Sequence, residues 1–239
     1  MEIRAVLFDL DNTLFDHAAS ARAGLDAFLQ HLQTPQNDEL ALTWFQLEQA
    51  SYARFLAKEL SFQEQRRERL RQFLPLAELE VPTTDRLLDE LFDVYLQSYQ
   101  DAWAAFPDAA PALQCLHDGG MPVGVITNGN HRQQTLKVGK IGLGPLIRRT
   151  FSSESMGHAK PSPEAFIQPC KSLGISPAQA LYVGDNFHVD VEGAMNAGLQ
   201  SIHLNRDGGG SEGTIQSLAE LIPRFGAGTG VANDSTTLV

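Results

Sequence analysis

Four segments of this sequence carry side chains suited to catalysis at, or just after, the end of a predicted strand. Their candidate residues are Asp9 and Asp11, Thr127 and Asn128, Lys160, and Asp185 with Asp190. Each segment alone is also typical of an ordinary feature, because Asp and Thr-Asn-Gly sequences form turns and a lone lysine is usually exposed. The functional interpretation depends on all four segments lying at one edge of one sheet.

The carboxylates of these segments would repel one another at such an edge. Period-two geometry puts Asp9 and Asp11 on one side of a continuing strand, and two charges about 4 Å apart repel by about 4 kcal/mol at an effective dielectric constant near 20. Asp185 and Asp190 add negative charge that Lys160 alone cannot neutralise. A divalent cation or bound protons must compensate, and carboxylate oxygens favour Mg²⁺. We expect both: the metal keeps Asp9 ionised, whereas Asp11 turns its side chain from the ion and has a raised pKa.

An ionised carboxylate beside a protonated carboxyl supplies a nucleophile and an acid/base, which are the groups that phosphoryl transfer through a covalent intermediate requires. Asp9 would attack phosphorus in line and form an aspartyl-phosphate. Asp11 would protonate the leaving alcohol and then deprotonate the hydrolytic water. The predicted reaction is the hydrolysis of a phosphate monoester.

The remaining candidates would position the phosphoryl group and the metal. The Thr127 hydroxyl and the Asn128 backbone N–H would hold phosphoryl oxygens, and Lys160 would offset charge on both the nucleophile and the phosphoryl group. Asp185 would ligate Mg²⁺. Asp190 would orient either a metal-bound water or Lys160.

The hydrophobic pattern places these residues on alternating strands and helices. Short apolar runs predict strands at residues 3–8, 123–126, 149–152, 180–183 and 201–204. Helical periodicity predicts helices at residues 109–118, 131–138, 163–173, 189–197 and 215–222. The alternation indicates an α/β fold with a Rossmann-like parallel sheet core and helices on both faces, which binds its ligand at the carboxyl edge of the sheet.

A block of roughly four helices interrupts this alternation after the first strand. The predicted organisation is an α/β catalytic core at residues 1–14 and 106–225 with an inserted α-helical cap at residues 15–105. Residues 226–239 are small, polar and aperiodic, so we expect a flexible tail.

The composition limits the class of partner. The 239 residues include 18 basic and 29 acidic side chains, a net charge of −11, which disfavours nucleic acid and anionic membranes; the basic stretch at residues 65–71 is interpreted as a solvated helix face. Cys115 and Cys170 lack metal-ligand spacing, and neither a signal peptide nor an apolar run of about 18 residues is present. We therefore expect a cytoplasmic monomer or homodimer whose partner is a small-molecule phosphate ester.

Four motifs resemble those of the haloacid dehalogenase superfamily of phosphotransferases. In chain order they are AVLFDLDNTLFD, VITNG, HAKPSPEAF and YVGDNFHVDVEGAMNAG, and a helical insertion between the first two is similar to the subgroup with a small helical cap. The resemblance implies an Asp9 nucleophile, an Asp11 acid/base, and Mg²⁺ held by Asp9, the backbone carbonyl of Asp11, and Asp185. Thr127 and Lys160 stand where this family usually carries Thr or Ser and Lys or Arg.

Other activities stay open beside this resemblance. The dehalogenases that name the superfamily generally lack the second aspartate and the magnesium site, so Asp11 favours a phosphatase over a 2-haloacid dehalogenase. A phosphomutase would need a phospho-enzyme that outlives product reorientation. A non-catalytic phospho-ligand-binding protein is disfavoured by the intact candidate residues, and a receiver-type signalling module by the long insertion. Asn130 and the general layout resemble phosphatases of nucleotides, flavin precursors or sugar phosphates.

Several further side chains have both a site interpretation and a structural one. In the site interpretation they line the pocket or touch the substrate, and in the structural one they belong to the core or to the solvated surface. These side chains are Trp44, Tyr52, Phe55, Asp16, His17, Arg22 and His188.

Overall fold

A five-stranded parallel sheet forms the centre of the fold, which a computed structural model describes for residues 2–209 and 213–225. The strands are β1 (Ala5–Phe8), β2 (Val123–Thr127), β3 (Arg149–Ser152), β4 (Ala180–Gly184) and β5 (Gln200–His203). They lie in the order β3-β2-β1-β4-β5. β1, β2 and β4 are buried throughout, as expected for strands covered on both faces. The predicted parallel α/β sheet is confirmed.

The register of the sheet brings the ends of its three central strands together. Phe8, the last residue of β1, lies opposite Val125 in β2 and Val183 in β4. Residues that follow β1 and β4 therefore leave the sheet at the same edge as the end of β2.

Four helices follow β1, as the periodicity predicts. They are α1 (His17–His31), α2 (Asp38–Leu56), α3 (Phe62–Leu76) and α4 (Asp85–Asp101), and together we call them the helical insertion. The side chains that cap their first turns are Asp16, Asn37, Ser61 and Thr84. The boundaries of a separate cap domain at residues 15 and 105 stay a prediction.

Aromatic side chains fill the interior of the helical insertion. Trp44 of α2 is fully buried, with its ring centroid 4.8 Å from that of Tyr95 and 4.9 Å from that of Phe73. These rings join one buried cluster that continues to Val6 and Phe8 on one face of the sheet. Trp44 is therefore a core residue, in line with its structural interpretation.

The remaining six helices of the described chain are α5 (Ala109–Asp118), α6 (His131–Lys140), α7 (Ser153–Met156), α8 (Glu164–Leu173), α9 (Gly193–Asn196) and α10 (Ile222–Phe225). The first five of them contact the strands of the sheet, and α10 packs against α5. α5, α6 and α8 match the predicted helices within two residues at either end. Side chains alternate between the two faces of β1, since Leu7 belongs to a second buried cluster on the face opposite Val6 and Phe8.

Two predicted helices differ from the observed structure. Instead of one helix at 189–197, a π-helical turn at Phe187–Glu192 precedes α9, because the Asn186 side chain caps the segment earlier by accepting from the Val189 N–H. Instead of a helix at 215–222, a 3₁₀ turn at Leu218–Leu221 precedes α10. The tail predicted at residues 226–239 lies outside the described residues.

None of the described helices is a candidate for a membrane span. No helix within residues 2–209 and 213–225 combines the length and the apolar character that a membrane span requires.

Candidate active site

All seven candidate residues line one cavity at the carboxyl edge of the sheet. The cavity has a volume of about 540 Å³, and the helical insertion lines it together with the loops that follow the strands. Asp9 comes directly after β1, Thr127 is the last residue of β2, and Asp185 comes directly after β4. The sequence-based expectation that the four segments meet at one edge agrees with this geometry.

Lys160 is the buried cation at the centre of this edge. Its Nζ donates to Asp9 Oδ1 at 2.5 Å and to Asp190 Oδ1 at 2.7 Å, and it lies 2.9 Å from the Tyr182 hydroxyl. Burial lowers the pKa of Lys160, but the charges and hydrogen bonds of Asp190 and Asp9 outweigh that effect and raise the pKa above its ordinary value. Lys160 is therefore a charged group that fixes the orientation of the Asp9 carboxylate.

Three carboxylates form a group that fits a divalent cation. Asp9, Asp185 and Asp190 each offer an oxygen, and these oxygens lie within 4.8 Å of one another. Burial raises the pKa of Asp9 well above its ordinary value despite the opposing charge of Lys160, and Asp190 and Asp185 raise it further. Burial and Asp190 raise the pKa of Asp185 to about 6. The uncompensated negative charge and the hard oxygen donors match the ligand preference of Mg²⁺.

Asp11 differs from its sequence-based expectation. Lys137 Nζ donates to Asp11 Oδ1 at 2.5 Å, and Gln134 Nε2 donates to Asp11 Oδ2 at 3.1 Å. Burial raises the pKa of Asp11, but the charge of Lys137, with smaller contributions from His17 and Gln134, lowers it below the ordinary value. The predicted raised pKa is wrong, because the prediction counted Lys160 as the one available cation and did not include Lys137.

Gln134 and Lys137 line the candidate site and contact Asp11, and the sequence interpretation missed both. Both are buried on α6, and Gln134 Nε2 also lies 2.7 Å from Thr127 Oγ1. Their three-residue spacing puts them on one helix face. The sequence signal for these two residues was their spacing on a helix that begins shortly after the predicted phosphoryl-binding residues Thr127 and Asn128.

The loop after β2 is held in place from several directions. Asn128 Nδ2 donates to the Lys160 backbone carbonyl at 3.0 Å, and the Lys160 N–H donates to Asn128 Oδ1 at 2.8 Å. Gly129 has a φ of 139°, and a Cβ at that residue would lie 2.8 Å from the Tyr52 hydroxyl. The Asn128 side chain thus positions the Lys160 segment, and glycine at 129 lets the helical insertion approach the loop.

The structure distinguishes among the side chains whose role the sequence left open. Tyr52 and His17 line the cavity; the Tyr52 hydroxyl donates to the Asn128 carbonyl at 2.8 Å, and His17 Nδ1 lies 3.0 Å from the Tyr99 hydroxyl. The others have structural contacts instead: Asp16 caps α1, Arg22 pairs with Asp26, Phe55 packs on Phe62, and His188 pairs with Glu192 at the surface.

The basic stretch at residues 65–71 is not the uniform solvated face that the sequence interpretation expected. Arg67 and Arg71 pair with Asp85 near the surface. Arg66 and Arg69, however, line the cavity together with Gln65. The expectation is wrong for these three residues because α3 carries polar side chains on the face that it turns toward the site.

Comparisons with known proteins agree with this architecture. The family model for haloacid dehalogenase-like hydrolases matches residues 3–198. A phosphoglycolate phosphatase of Salmonella typhi is 29% identical over 225 residues, which cover 91% of this chain and 86% of the relative. The magnesium-bound HAD-hydrolase YfnB from Bacillus subtilis has the same fold, with a TM-score of 0.77 at 21% identity, over 94% of this chain and 99% of that one.

A dehalogenase is also among the similar structures. The 2-haloacid dehalogenase from Pseudomonas syringae pv. Tomato DC3000 has a TM-score of 0.67 and 27% identity, over 93% of this chain and 97% of that one. Fold similarity alone therefore does not distinguish the two activities. The family itself is shown by the match over most of the chain: this protein belongs to the haloacid dehalogenase-like hydrolase family.

Proposed function

We propose that this protein is a Mg²⁺-dependent phosphomonoesterase that hydrolyses a small phosphorylated metabolite through an aspartyl-phosphate on Asp9. The observation that carries the proposal is the presence of a second aspartate, Asp11, in the same cavity as Asp9 and the three-carboxylate group. A haloacid dehalogenase needs neither the second aspartate nor the metal, so this arrangement supports the phosphatase.

Asp9 and Lys160 would perform the first half of the reaction. Lys160 orients Asp9 through the 2.5 Å contact with Oδ1, and the Asp9 carboxylate would attack phosphorus while the bond to the leaving oxygen breaks. The Thr127 hydroxyl and the Asn128 N–H would bind phosphoryl oxygens. These groups are held in place before substrate binds, which favours electrostatic stabilisation of the transition state.

Asp11 would transfer the protons of both half-reactions. It would give a proton to the leaving oxygen in the first and take one from the hydrolytic water in the second. The contact with Lys137 keeps Asp11 ionised, which is the form that deprotonates water. Asp11 must therefore take up a proton from solvent before the leaving oxygen departs, while the contact with Lys137 Nζ at 2.5 Å holds the carboxyl group in place.

Asp9, Asp185 and the backbone carbonyl of Asp11 would hold Mg²⁺, with Asp190 fixing Lys160 beside them. When bound, the ion supplies positive charge that stabilises the phosphoryl oxygens. The neighbouring carboxylates carry more negative charge than Lys160 offsets, which favours occupancy by a divalent cation.

The helical insertion would act as a mobile cap at residues 15–105 that closes over the substrate and excludes water. The hydrogen bond from Tyr52 to the Asn128 carbonyl joins the helical insertion to the loop after β2, so it would break when the cap opens. We also propose that the protein is a cytoplasmic monomer or homodimer. A phosphomutase and a non-catalytic phospho-ligand-binding protein are the other candidates.

Steady-state hydrolysis of an aryl phosphate tests the proposal. We expect turnover with Mg²⁺, loss of turnover with EDTA, and a loss of at least roughly 10³-fold in Asp9→Asn, because no other group replaces the nucleophile. Asp118→Asn, an exposed change on α5, is the matched control. A panel of nucleotides, flavin precursors, sugar phosphates and phosphoglycolate then narrows the substrate. Turnover that survives EDTA or Asp9→Asn contradicts the proposal, and halide release from a 2-haloacid favours the dehalogenase.

A further inference from the structure

Two arginines of α3 line the cavity that holds the candidate catalytic residues. Arg66 and Arg69 stand three residues apart and so lie on one face of the helix. Neither has a role in the proposed chemistry at Asp9. Their surroundings differ, and that difference indicates what each does.

Arg69 is neutralised within the helical insertion. Its Nη1 lies 3.0 Å from Glu48 Oε1, and its Nη2 lies 3.3 Å from Gln65 Oε1. The side chain is almost fully buried, and its guanidinium lies over the Trp44 ring at 5.2 Å. Arg69 therefore joins α3 to α2, and Glu48 compensates its positive charge, so that it attracts an anionic ligand only weakly.

In the described part of the chain, Arg66 is held in place without an ion pair. Within residues 2–209 and 213–225, no carboxylate lies within ion-pair distance of its guanidinium. Its Nη2 makes a long contact of 3.4 Å with Gln133 Oε1. The guanidinium carbon lies 4.4 Å from the centroid of the Phe62 ring and 5.3 Å from that of Phe92. The two rings orient a planar cation toward the cavity.

The electrostatic environment favours an anion at Arg66. Burial lowers the pKa of Arg66 and the positive charge of Arg69 lowers it further, whereas the negative charge of Asp93 offsets part of that effect without forming an ion pair. A guanidinium stays protonated near neutral pH. A partly buried charge without a partner is unfavourable. An anion that enters the cavity would relieve that cost.

We propose that Arg66 binds a second anionic group of the substrate while the phosphoryl group lies at Asp9. The planar fork of a guanidinium fits a carboxylate or a phosphate in a bidentate manner. The inference rests on the proposed phosphatase function and adds the substrate class: a small phosphate ester with a carboxylate or a second phosphate. The contact with Gln133 puts Arg66 beside α6, the helix that starts directly after the proposed phosphoryl-binding loop.

Matched pairs of esters test this assignment. Phosphoglycerate is compared with glycerol phosphate, and propanediol bisphosphate with propanediol monophosphate, for the wild type, Arg66→Met, Arg66→Lys and Arg71→Met. Arg71 is the control because it lies on the same helix, pairs with Asp85 near the surface and does not line the cavity. Each pair shares its carbon skeleton, so its members differ mainly in the second anion.

We expect the wild type to prefer at least one second-anion ester. Arg66→Met should lower kcat/KM for that ester roughly 10- to 100-fold, mainly through KM, as expected for loss of a charged hydrogen-bond donor. The corresponding monoester should change less than about 3-fold. Arg66→Lys should recover part of the loss, and Arg71→Met should change neither. The pair that responds distinguishes a carboxylate from a phosphate.

Three results would overturn the assignment while leaving the phosphatase intact. They are equal wild-type efficiency within both pairs, an equal loss for both members of a pair in Arg66→Met, and turnover of the monoesters alone. The equal loss would mean that Arg66 binds the transferred phosphoryl group instead.

A binding measurement separates this inference from the proposed chemistry. Calorimetric titration of Asp9→Asn with both pairs of esters does not require turnover. We expect tighter binding of phosphoglycerate or of the bisphosphate, and loss of that preference when Arg66→Met is added. Equal affinities within both pairs overturn the role of Arg66 even if the enzyme hydrolyses phosphate esters, and thermal unfolding of Arg66→Met verifies that the variant folds.

Discussion

Gly184, the last residue of β4, gives Asp190 the space to reach Lys160. A Cβ on Gly184 would lie 2.5 Å from Asp190 Cγ and 2.7 Å from its Oδ2. Asp190 in turn accepts from the Asn186 N–H at 3.0 Å and pairs with Lys160. The absence of a side chain at one strand end therefore sets the position of the buried cation.

Gly184→Ala should displace Asp190 and with it Lys160. We expect kcat to fall at least roughly 10-fold, as a small misplacement of catalytic groups is costly, and the free energy of unfolding to fall by about 1–3 kcal/mol. Steady-state kinetics and urea unfolding measure the two effects. Gly144→Ala is the control, since a Cβ there has no neighbour closer than 3.9 Å. Wild-type kcat in Gly184→Ala would contradict this role of Asp190.

The two lysines of the site hold two different aspartates. Lys160 contacts Asp9, whereas Lys137 contacts Asp11 and lies 4.4 Å from the centroid of the Phe15 ring. The proposed nucleophile and the proposed acid/base are thus each held by a different buried lysine.

Lys137→Gln should impair the acid/base and leave the nucleophile in place. We expect kcat to fall roughly 10- to 100-fold, which is less than the roughly 10²- to 10⁴-fold contribution of a complete general acid/base, because Asp11 stays in place but loses its main hydrogen-bond donor. The change in KM should be smaller. Steady-state kinetics with an alkyl and an aryl ester measure this. Lys140→Gln, an exposed change on the same helix, should have no effect. Equal kcat for the two variants would show that Asp11 does not depend on Lys137.

At the scale of elements, α1 and α4 pack closely where Gly24 faces Tyr99. A Cβ at Gly24 would lie 2.9 Å from Tyr99 Cβ and 3.1 Å from its Cα, and both of those atoms are fixed to the backbone of α4. The approach of the two helices sets the place of Tyr95 and Tyr99, which line the cavity.

Gly24→Ala should force α1 away from α4. We expect a loss of about 1–3 kcal/mol in the free energy of unfolding, as in other overpacked cores, measured by urea denaturation. Gly139→Ala is the matched control on α6, where nothing lies within 4 Å of the added methyl group; it should stabilise the protein by about 0.5–1 kcal/mol. A Gly24→Ala variant as stable as the wild type would contradict the close packing.

The sequence predicted the elements well because local signals mark them. Gly119 and Gly174 end α5 and α8 at the expected residues, and the apolar run that ends at Phe8 predicted the central strand. The same strand ends located Asp9, Thr127 and Asp185, because parallel strands place their carboxyl ends at one edge.

The rest of the site depends on tertiary packing. Lys137 reaches Asp11 because α6 turns the face that carries Gln134 and Lys137 toward the site, and packing against the sheet sets that orientation. On α3, charged residues occupy both the cavity face and the surface face, so composition could not separate Arg66 from Arg71. The predicted direction of the Asp11 pKa shift was wrong for the same reason, because that direction depends on which cation packs against the carboxylate.

At the scale of the whole molecule, Asp108 and Arg206 join distant parts of the chain. Arg206 binds Asp108 with two hydrogen bonds of 2.9 and 3.0 Å and donates to the Thr13 carbonyl at 2.8 Å. The Ser217 hydroxyl and the Leu218 N–H also donate to Asp108 Oδ2. The first motif, the start of α5 and the last described segment are thereby held together.

Asp108 should make stability depend on pH. Burial raises the pKa of Asp108, but the hydrogen bonds from Arg206, Ser217 and Leu218 outweigh it and lower the pKa below its ordinary value. Its stabilisation is therefore fully present above that ordinary value and is lost as the pH falls through the lowered pKa of the folded state.

Asp108→Asn should lower the free energy of unfolding by about 1–3 kcal/mol near neutral pH. The difference from the wild type should shrink below about pH 4, because the unfolded chain then begins to bind a proton at this carboxyl group while the folded protein does not. Urea unfolding at a series of pH values measures it, with Asp118→Asn as an exposed control. A difference that stays constant down to acidic pH would contradict the ionised role of Asp108.

The proposed aspartyl-phosphate on Asp9 can be trapped during turnover. The enzyme is mixed with Mg²⁺ and an aryl phosphate, quenched in acid during turnover, and digested for mass spectrometry. We predict a phosphoryl group on the peptide that contains Asp9, and its absence in Asp9→Asn. Release of inorganic phosphate with no phosphorylated peptide at any time point, or with the phosphoryl group on another residue, would contradict the mechanism.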